Sequence, residues 1–353
     1  RVPCGLVCQY FNDYVQTLGL TDNCSNNTLI TKVRKIIQSS DKNPTINEST
    51  GTNAHTCAIS FCSCQDQSDL YVWEIYGYHS KTNKLCKYRC KRVVLACGSS
   101  SPKRLNVPNE DAPNILHSNA SRSRCHLGLF VPSKFCDNIR KCNLPVLVVG
   151  DGLSAADTVT RLLLAEIPVI HSFRRSLQEV RHSFTKFSKI LYPEYHKLCQ
   201  LMTPGVNDRL YTAYPNTEVI GFSRIPNVKC RLIPEGKNFG FDASSTVVKL
   251  KSTLVDRSDD AIVDDLTFSK AVISIGYRPN LKFFDDRYKK SLAGNHWKNL
   301  DSKCNLVDVD PFTKKSRGDP TIYALGPLIA DNFVRYLIGG SMAVASDLIK
   351  ELS

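Results

Sequence analysis

The stretch with the clearest chemical meaning is Gly150-Asp151-Gly152-Leu153-Ser154-Ala155. It follows the apolar run LPVLVV and precedes DTVTRLLLAEI, whose apolar residues Val159, Leu162, Leu163 and Ile167 recur with a helical period. In such a strand–turn–helix, Gly150 permits the tight turn and Gly152 lets backbone approach a pyrophosphate. Ala155 allows close packing of helix on strand. The start of the helix, with Ser154 in its first turn, offers unpaired N–H groups and a positive dipole end to phosphates. The spacing predicts a dinucleotide site.

The residues after the next strand, PVIHSF, predict which dinucleotide. An acid there accepts from a ribose 2′-hydroxyl, whereas arginine suits a 2′-phosphate. Here the strand runs into Arg174 and Arg175, with Arg181 further on and no neighbouring acid. Guanidiniums pair with a phosphate dianion, so NADPH is the expected cofactor; the other reading is a solvated basic turn. Asp157 lies too early to reach the ribose and is expected to favour the positive end of its helix. His171, His182 and His196 are expected to be helix or turn residues, and no side chain announces itself as a catalyst.

Around this unit the elements can be sketched from periodicity. YFNDYVQTLGL and TLITKVRKIIQ both carry apolar residues at helical spacing, so two helices are expected across residues 10–40. Residues 39–55 read as a polar loop. TCAISFC, DLYVWEIYGY and LCKYRCKRVVLACG read as strands, the last buried over 92–96 and ending at Gly98. A proline-rich crossover follows. Residues 181–203 read as helical with a break at Pro193. SKAVISIGYRPN and TIYALG supply two further strands before a closing helix. The 353 residues exceed what one core usually serves, so two domains are expected.

Composition excludes several classes. Hydrophobic residues make up 42% and charged residues 22%, which is ordinary for a folded chain. No apolar run is long enough to span a membrane. The formal charge is +13 from 46 basic and 33 acidic residues, but these are dispersed, and the KYRCKR cluster at 87–92 runs into a strand. Nucleic-acid binding is not expected. The fifteen cysteines are irregularly spaced and odd in number, so reduced thiols in a cytoplasmic setting are expected. Cys62 with Cys64, and Cys86 with Cys90, lack partners that would complete a zinc site. The sequons at Asn23, Asn26, Asn47 and Asn119 matter only in a secreted chain.

Further segments carry a resemblance. RVVLACG followed by SSSP resembles the strand-ending A-T-G of two-dinucleotide-binding flavoproteins, with Cys97 in place of Thr and Gly98 matching. AVISIGYRPN resembles their return strand. TIYALGPLIAD resembles their C-terminal segment, which places Gly326 and Asp331 toward the FAD ribityl and pyrophosphate. VVGDGLSAAD, LYPEYHKL and ALGPLIADNFVRYLIGGSMAVAS are similar to the oxidative stress-induced growth inhibitor family, relatives of flavin-dependent monooxygenases. NILHS resembles their His-Ser element and marks His117 as a cofactor-site candidate.

The resemblance implies an α/β, two-dinucleotide-binding flavoprotein in which a Rossmann-like NADPH domain interrupts an FAD domain. The expected segments are 1–98 and 285–353 for FAD and 99–284 for NADPH. No FAD fingerprint precedes residue 98, so the FAD domain is expected to lack its N-terminal βαβ unit, that unit lying upstream of Arg1. The implied activity is NADPH- and FAD-dependent monooxygenation of a small molecule, linked to growth and cell-death regulation. The alternatives are a non-catalytic regulator keeping the fold, a disulfide reductase using Cys57 and Cys62, and a basic nucleic-acid adaptor.

Overall fold

A computed structural model describes residues 4–37, 71–117, 144–224, 246–253 and 262–353. In chain order it holds helix α1 (Cys4–Thr17), strands β1 (Thr28–Ile37), β2 (Tyr71–His79), β3 (Leu85–Cys90), β4 (Val93–Leu95), β5 (Ser99–Pro102), β6 (Ile115–His117) and β7 (Val146–Val149). Helix α2 (Leu153–Leu164), strand β8 (Val169–Ser172), helices α3 (Leu177–Thr185) and α4 (Pro193–Leu201), and strands β9 (Tyr211–Tyr214) and β10 (Thr217–Arg224) follow. Strands β11 (Thr246–Ser252), β12 (Ile262–Phe268), β13 (Lys270–Ile273) and β14 (Tyr277–Pro279), helix α5 (Asp286–Ser291), strand β15 (Ile322–Ala324) and helix α6 (Val334–Leu352) complete it. Two units are formed, one from Arg1–Ser99 with Pro279–Ser353, the other from Ser100–Arg278.

In the first unit β1, β2 and β3 make an antiparallel meander, and β4 pairs in parallel with β15. The helix expected over TLITKVRKIIQ is instead β1. Its Leu29, Val33 and Ile37 fit a helical period, but Thr28, Ile30, Thr31, Val33, Ile36 and Ile37 are β-branched and suit a pleated surface. Pairing of Ile37 with Tyr71 through Thr28 with His79 then satisfies its backbone groups. Trp73 is 1% exposed and packs among Val33, Val93, Leu95, Phe284 and Ile322, while its indole N–H donates to Thr321 Oγ1 at 3.0 Å. On the other face of the meander Glu74 accepts from Arg34, Lys87, Arg89 and the Tyr76 hydroxyl. These donors hold its carboxyl far below the usual range, Lys87 contributing most. The strand expected at TCAISFC and the loop at 39–55 lie outside the described residues.

The second unit is a five-stranded parallel sheet in the order β6-β13-β7-β8-β9, accompanied by an antiparallel β10-β11-β12 sheet. Every residue of β7 is buried because both faces are covered. Val146 and Val148 pack with Ala155, Ala156, Val159 and Leu162 of α2, whereas Leu147 and Val149 pack with Val219, Phe222, Val248 and Leu250. The 181–203 helix divides in two. Ser176 and Glu179 form a reciprocal capping box that starts α3, and Pro193 occupies the first turn of α4, where its missing N–H costs nothing. The sheet order changes direction on either side of β7, which puts the β7–β13 crevice at a topological switch point, the usual place for a ligand.

Candidate dinucleotide site

Gly150 leaves β7 with φ +125°, and a Cβ there would meet the Ser274 carbonyl oxygen at 2.3 Å. Only glycine fits between the ends of β7 and β13. Gly152 differs: it caps α2 in extended conformation, and a Cβ added to it meets nothing within 4 Å. It bounds open space beside the N–H groups of Leu153, Ser154 and Ala155, which have no intrahelical acceptors. No side chain caps that end. Ala155 is fully buried against the sheet.

A histidine holds the turn. His171 is not in a helix or turn but in β8, fully buried, with Nε2 2.7 Å from the Gly150 carbonyl oxygen and Nδ1 2.9 Å from the Tyr211 hydroxyl. A carbonyl only accepts, so Nε2 carries the proton and Nδ1 of the neutral ring accepts from Tyr211. Burial depresses the His171 pKa to about 4, although the bond to Gly150 and the nearby Asp151 favour the charged form. Burial also pushes the Tyr211 phenol upward.

The three arginines are placed differently. Arg174 is exposed, and its carbonyl accepts from Thr253 Oγ1 at 3.3 Å. Arg175 meets an acid that does stand here, inside the glycine turn: its Nε donates to Asp151 Oδ2 at 2.5 Å, its Nη2 to the Asp151 carbonyl at 3.4 Å and its Nη1 to Ser183 Oγ at 3.0 Å. Arg181 lies on α3 near the Cys199 thiol of α4, whose pKa burial raises and Arg181 lowers part-way. No hydrogen bond or ion pair joins Arg181 to the Asp151–Arg175 pair among the described residues. Asp157 accepts from the Tyr195 hydroxyl at 3.0 Å, tying α2 to α4 rather than serving the first turn of its helix.

Ser274, which pattern reading passed over, follows β13 beside Gly150. It is 4% exposed, and its hydroxyl has no partner among the described residues. A buried hydroxyl left unpaired costs about 1–3 kcal/mol. Together with the uncapped helix start and the open space at Gly152, this orphan donor fits a diphosphate. His117 ends β6, separated from β7 by β13, with Nε2 3.2 Å from Glu110 Oε1. Burial lowers its pKa, with Glu110 opposing. The Glu110 carboxylate accepts from the Leu105 and Asn106 N–H groups.

In the first unit, Gly98 and Gly326 follow the carboxyl ends of the adjacent parallel strands β4 and β15, with φ +63° and +66°. The Asp331 N–H donates to the Gly326 carbonyl at 3.1 Å. The described residues of this unit supply no strand–glycine turn–helix for the adenylate.

Among known proteins, oxidative stress-induced growth inhibitor 1 of Homo sapiens is 30% identical to this chain over 353 residues, covering 99% of the chain and 64% of that protein. Oxidative stress-induced growth inhibitor 2 of Homo sapiens is 31% identical over 357 residues, covering 96% and 61%. This chain is a relative of the oxidative stress-induced growth inhibitors. It spans somewhat under two thirds of their length. No family model matches it. Among solved structures, a bacillithiol disulfide reductase from Bacillus cereus superposes with a TM-score of 0.56 at 13% identity, over 98% of this chain and 77% of that one. The chain thus shares the mixed α/β fold of that reductase. Among the described residues no helix is long and apolar enough to cross a membrane, and no cluster of His, Cys, Asp and Glu is arranged to hold a metal ion.

Proposed function

We propose that this chain is an NADPH-using, FAD-dependent oxidoreductase of monooxygenase type, acting on a small molecule and taking part in growth regulation. The observation that carries the reading is the glycine turn at 150–155, whose backbone faces open space at Gly152 and is fixed from behind by His171. Bound nucleotide would supply a hydride and the flavin would accept it and activate oxygen. Gly152 and the first turn of α2 would bind the diphosphate, and the Ser274 hydroxyl would donate to it. His171 positions the turn, and Arg174 presents an exposed cation to a 2′-phosphate. Gly98, Gly326 and Asp331 would line the flavin. The growth-regulatory part of the reading is supported by the names of the human relatives.

The test is NADPH and NADH oxidation by the full-length protein reconstituted with FAD, with oxygen uptake and reduction of a model disulfide followed in parallel. NADPH oxidation coupled to oxygen uptake supports the reading. Disulfide reduction without oxygen uptake overturns the monooxygenase type. Absence of both flavin binding and turnover in the full-length protein would favour the non-catalytic regulator.

A further inference from the structure

We propose that Asp151 determines selectivity between 2′-phosphorylated and 2′-hydroxyl nucleotides by competing, as an internal carboxylate, for Arg175. The inference rests on the dinucleotide reading of this same site. Arginine recognises phosphate through two adjacent N–H groups on one edge of its guanidinium. In Arg175 the Nε and Nη2 donors are both directed at Asp151, and Nη1 is directed at Ser183. The Nε–Nη2 edge, the one that pairs best with phosphate, is thus taken within the chain, and three of the five N–H donors of Arg175 are engaged. Arg174, exposed and one residue earlier, has no side-chain hydrogen bond or ion pair among the described residues.

The latch follows from the backbone. Gly150 carries the turn past Ser274, and the next side chain, Asp151, meets the guanidinium that follows β8. The pair is partly open to solvent, with the Arg175 side chain 41% and that of Asp151 26% exposed, so a phosphate can reach it. A 2′-phosphate arriving there must replace one carboxylate on Arg175 and meet the displaced charge as a repulsive neighbour. A 2′-hydroxyl meets no such charge penalty, and Asp151 can accept its hydrogen bond. Asp151 thereby lowers the preference for the phosphorylated cofactor that Arg174 and Arg175 would otherwise confer.

The experiment is isothermal titration of the purified chain with 2′,5′-ADP and with ADP-ribose. Asp151→Asn removes the charge at nearly constant size, and it should tighten 2′,5′-ADP about tenfold while changing ADP-ribose less than about twofold. Asp151→Glu, which retains the carboxylate, should keep the wild-type ratio and controls for disturbance of the turn. Arg175→Ala in the Asp151→Asn background should abolish the gain, as expected of two coupled residues. ADP-ribose binding with a ratio unchanged by Asp151→Asn would overturn the proposal while leaving the dinucleotide reading intact. Failure of every variant to bind either probe would overturn both.

Discussion

The buried His171 makes stability of the second unit depend on pH. Its pKa falls from an ordinary 6.5 to about 4 in the folded chain. Between those values the unfolded chain holds more protons than the folded one, so stability rises with pH across that window. The contribution is complete above pH 6.5 and is lost as the pH falls through 4. At roughly 1.4 kcal/mol for each factor of ten, the loss amounts to about 3 kcal/mol. His171→Gln is the informative perturbation, because the amide keeps one donor and one acceptor and does not titrate. Urea unfolding followed by circular dichroism, repeated between pH 7.5 and 4, would give the stability gap between wild type and variant. The gap should favour wild type at neutral pH and narrow by about 3 kcal/mol in acid. A gap that stays constant over this range would refute the reasoning, because the ring would then not be excluding its proton.

Gly150→Ala and Gly152→Ala should separate fold from ligand. The first drives a methyl into the Ser274 backbone and should lower stability by more than about 2 kcal/mol in thermal unfolding. The second meets nothing and should leave stability within about 0.5 kcal/mol while weakening ADP-ribose binding about tenfold. Ser274→Ala removes an unpaired buried hydroxyl, so it should hold or raise the melting temperature and yet reduce ADP-ribose affinity; a loss of stability with unchanged affinity would assign the hydroxyl a purely structural role. Glu74→Gln leaves Arg34, Lys87 and Arg89 without their shared carboxylate, and the resulting fall in melting temperature should shrink in high salt, which screens their repulsion.

Local pattern made β7, its glycine turn and α2 legible, because an apolar run covered on both faces, two glycines and a small first turn all describe one strand–turn–helix. It misled at β1. There the spacing of Leu29, Val33 and Ile37 satisfies a helix as well as a strand, and the choice rests on a partner, Tyr71–His79, far along the chain. The basic pair at 174 and 175 was visible as a phosphate signal. That one of the two is already occupied was not, since the acid sits 24 residues earlier inside the turn.

What the residues alone determined is therefore the class of site: glycines and small side chains at that spacing restrict the backbone by steric exclusion, a property local to a few residues. What only the tertiary structure decided is how the site is held and charged. His171 becomes a neutral clamp because Tyr211, 40 residues away, donates to one nitrogen while Gly150 accepts from the other in the buried interior. Arg174 and Arg175, identical in chemistry and adjacent in sequence, acquire different roles because only one of them meets Asp151. Hydrogen bonds and ion pairs depend on distance in space, and no spacing along the chain specifies it.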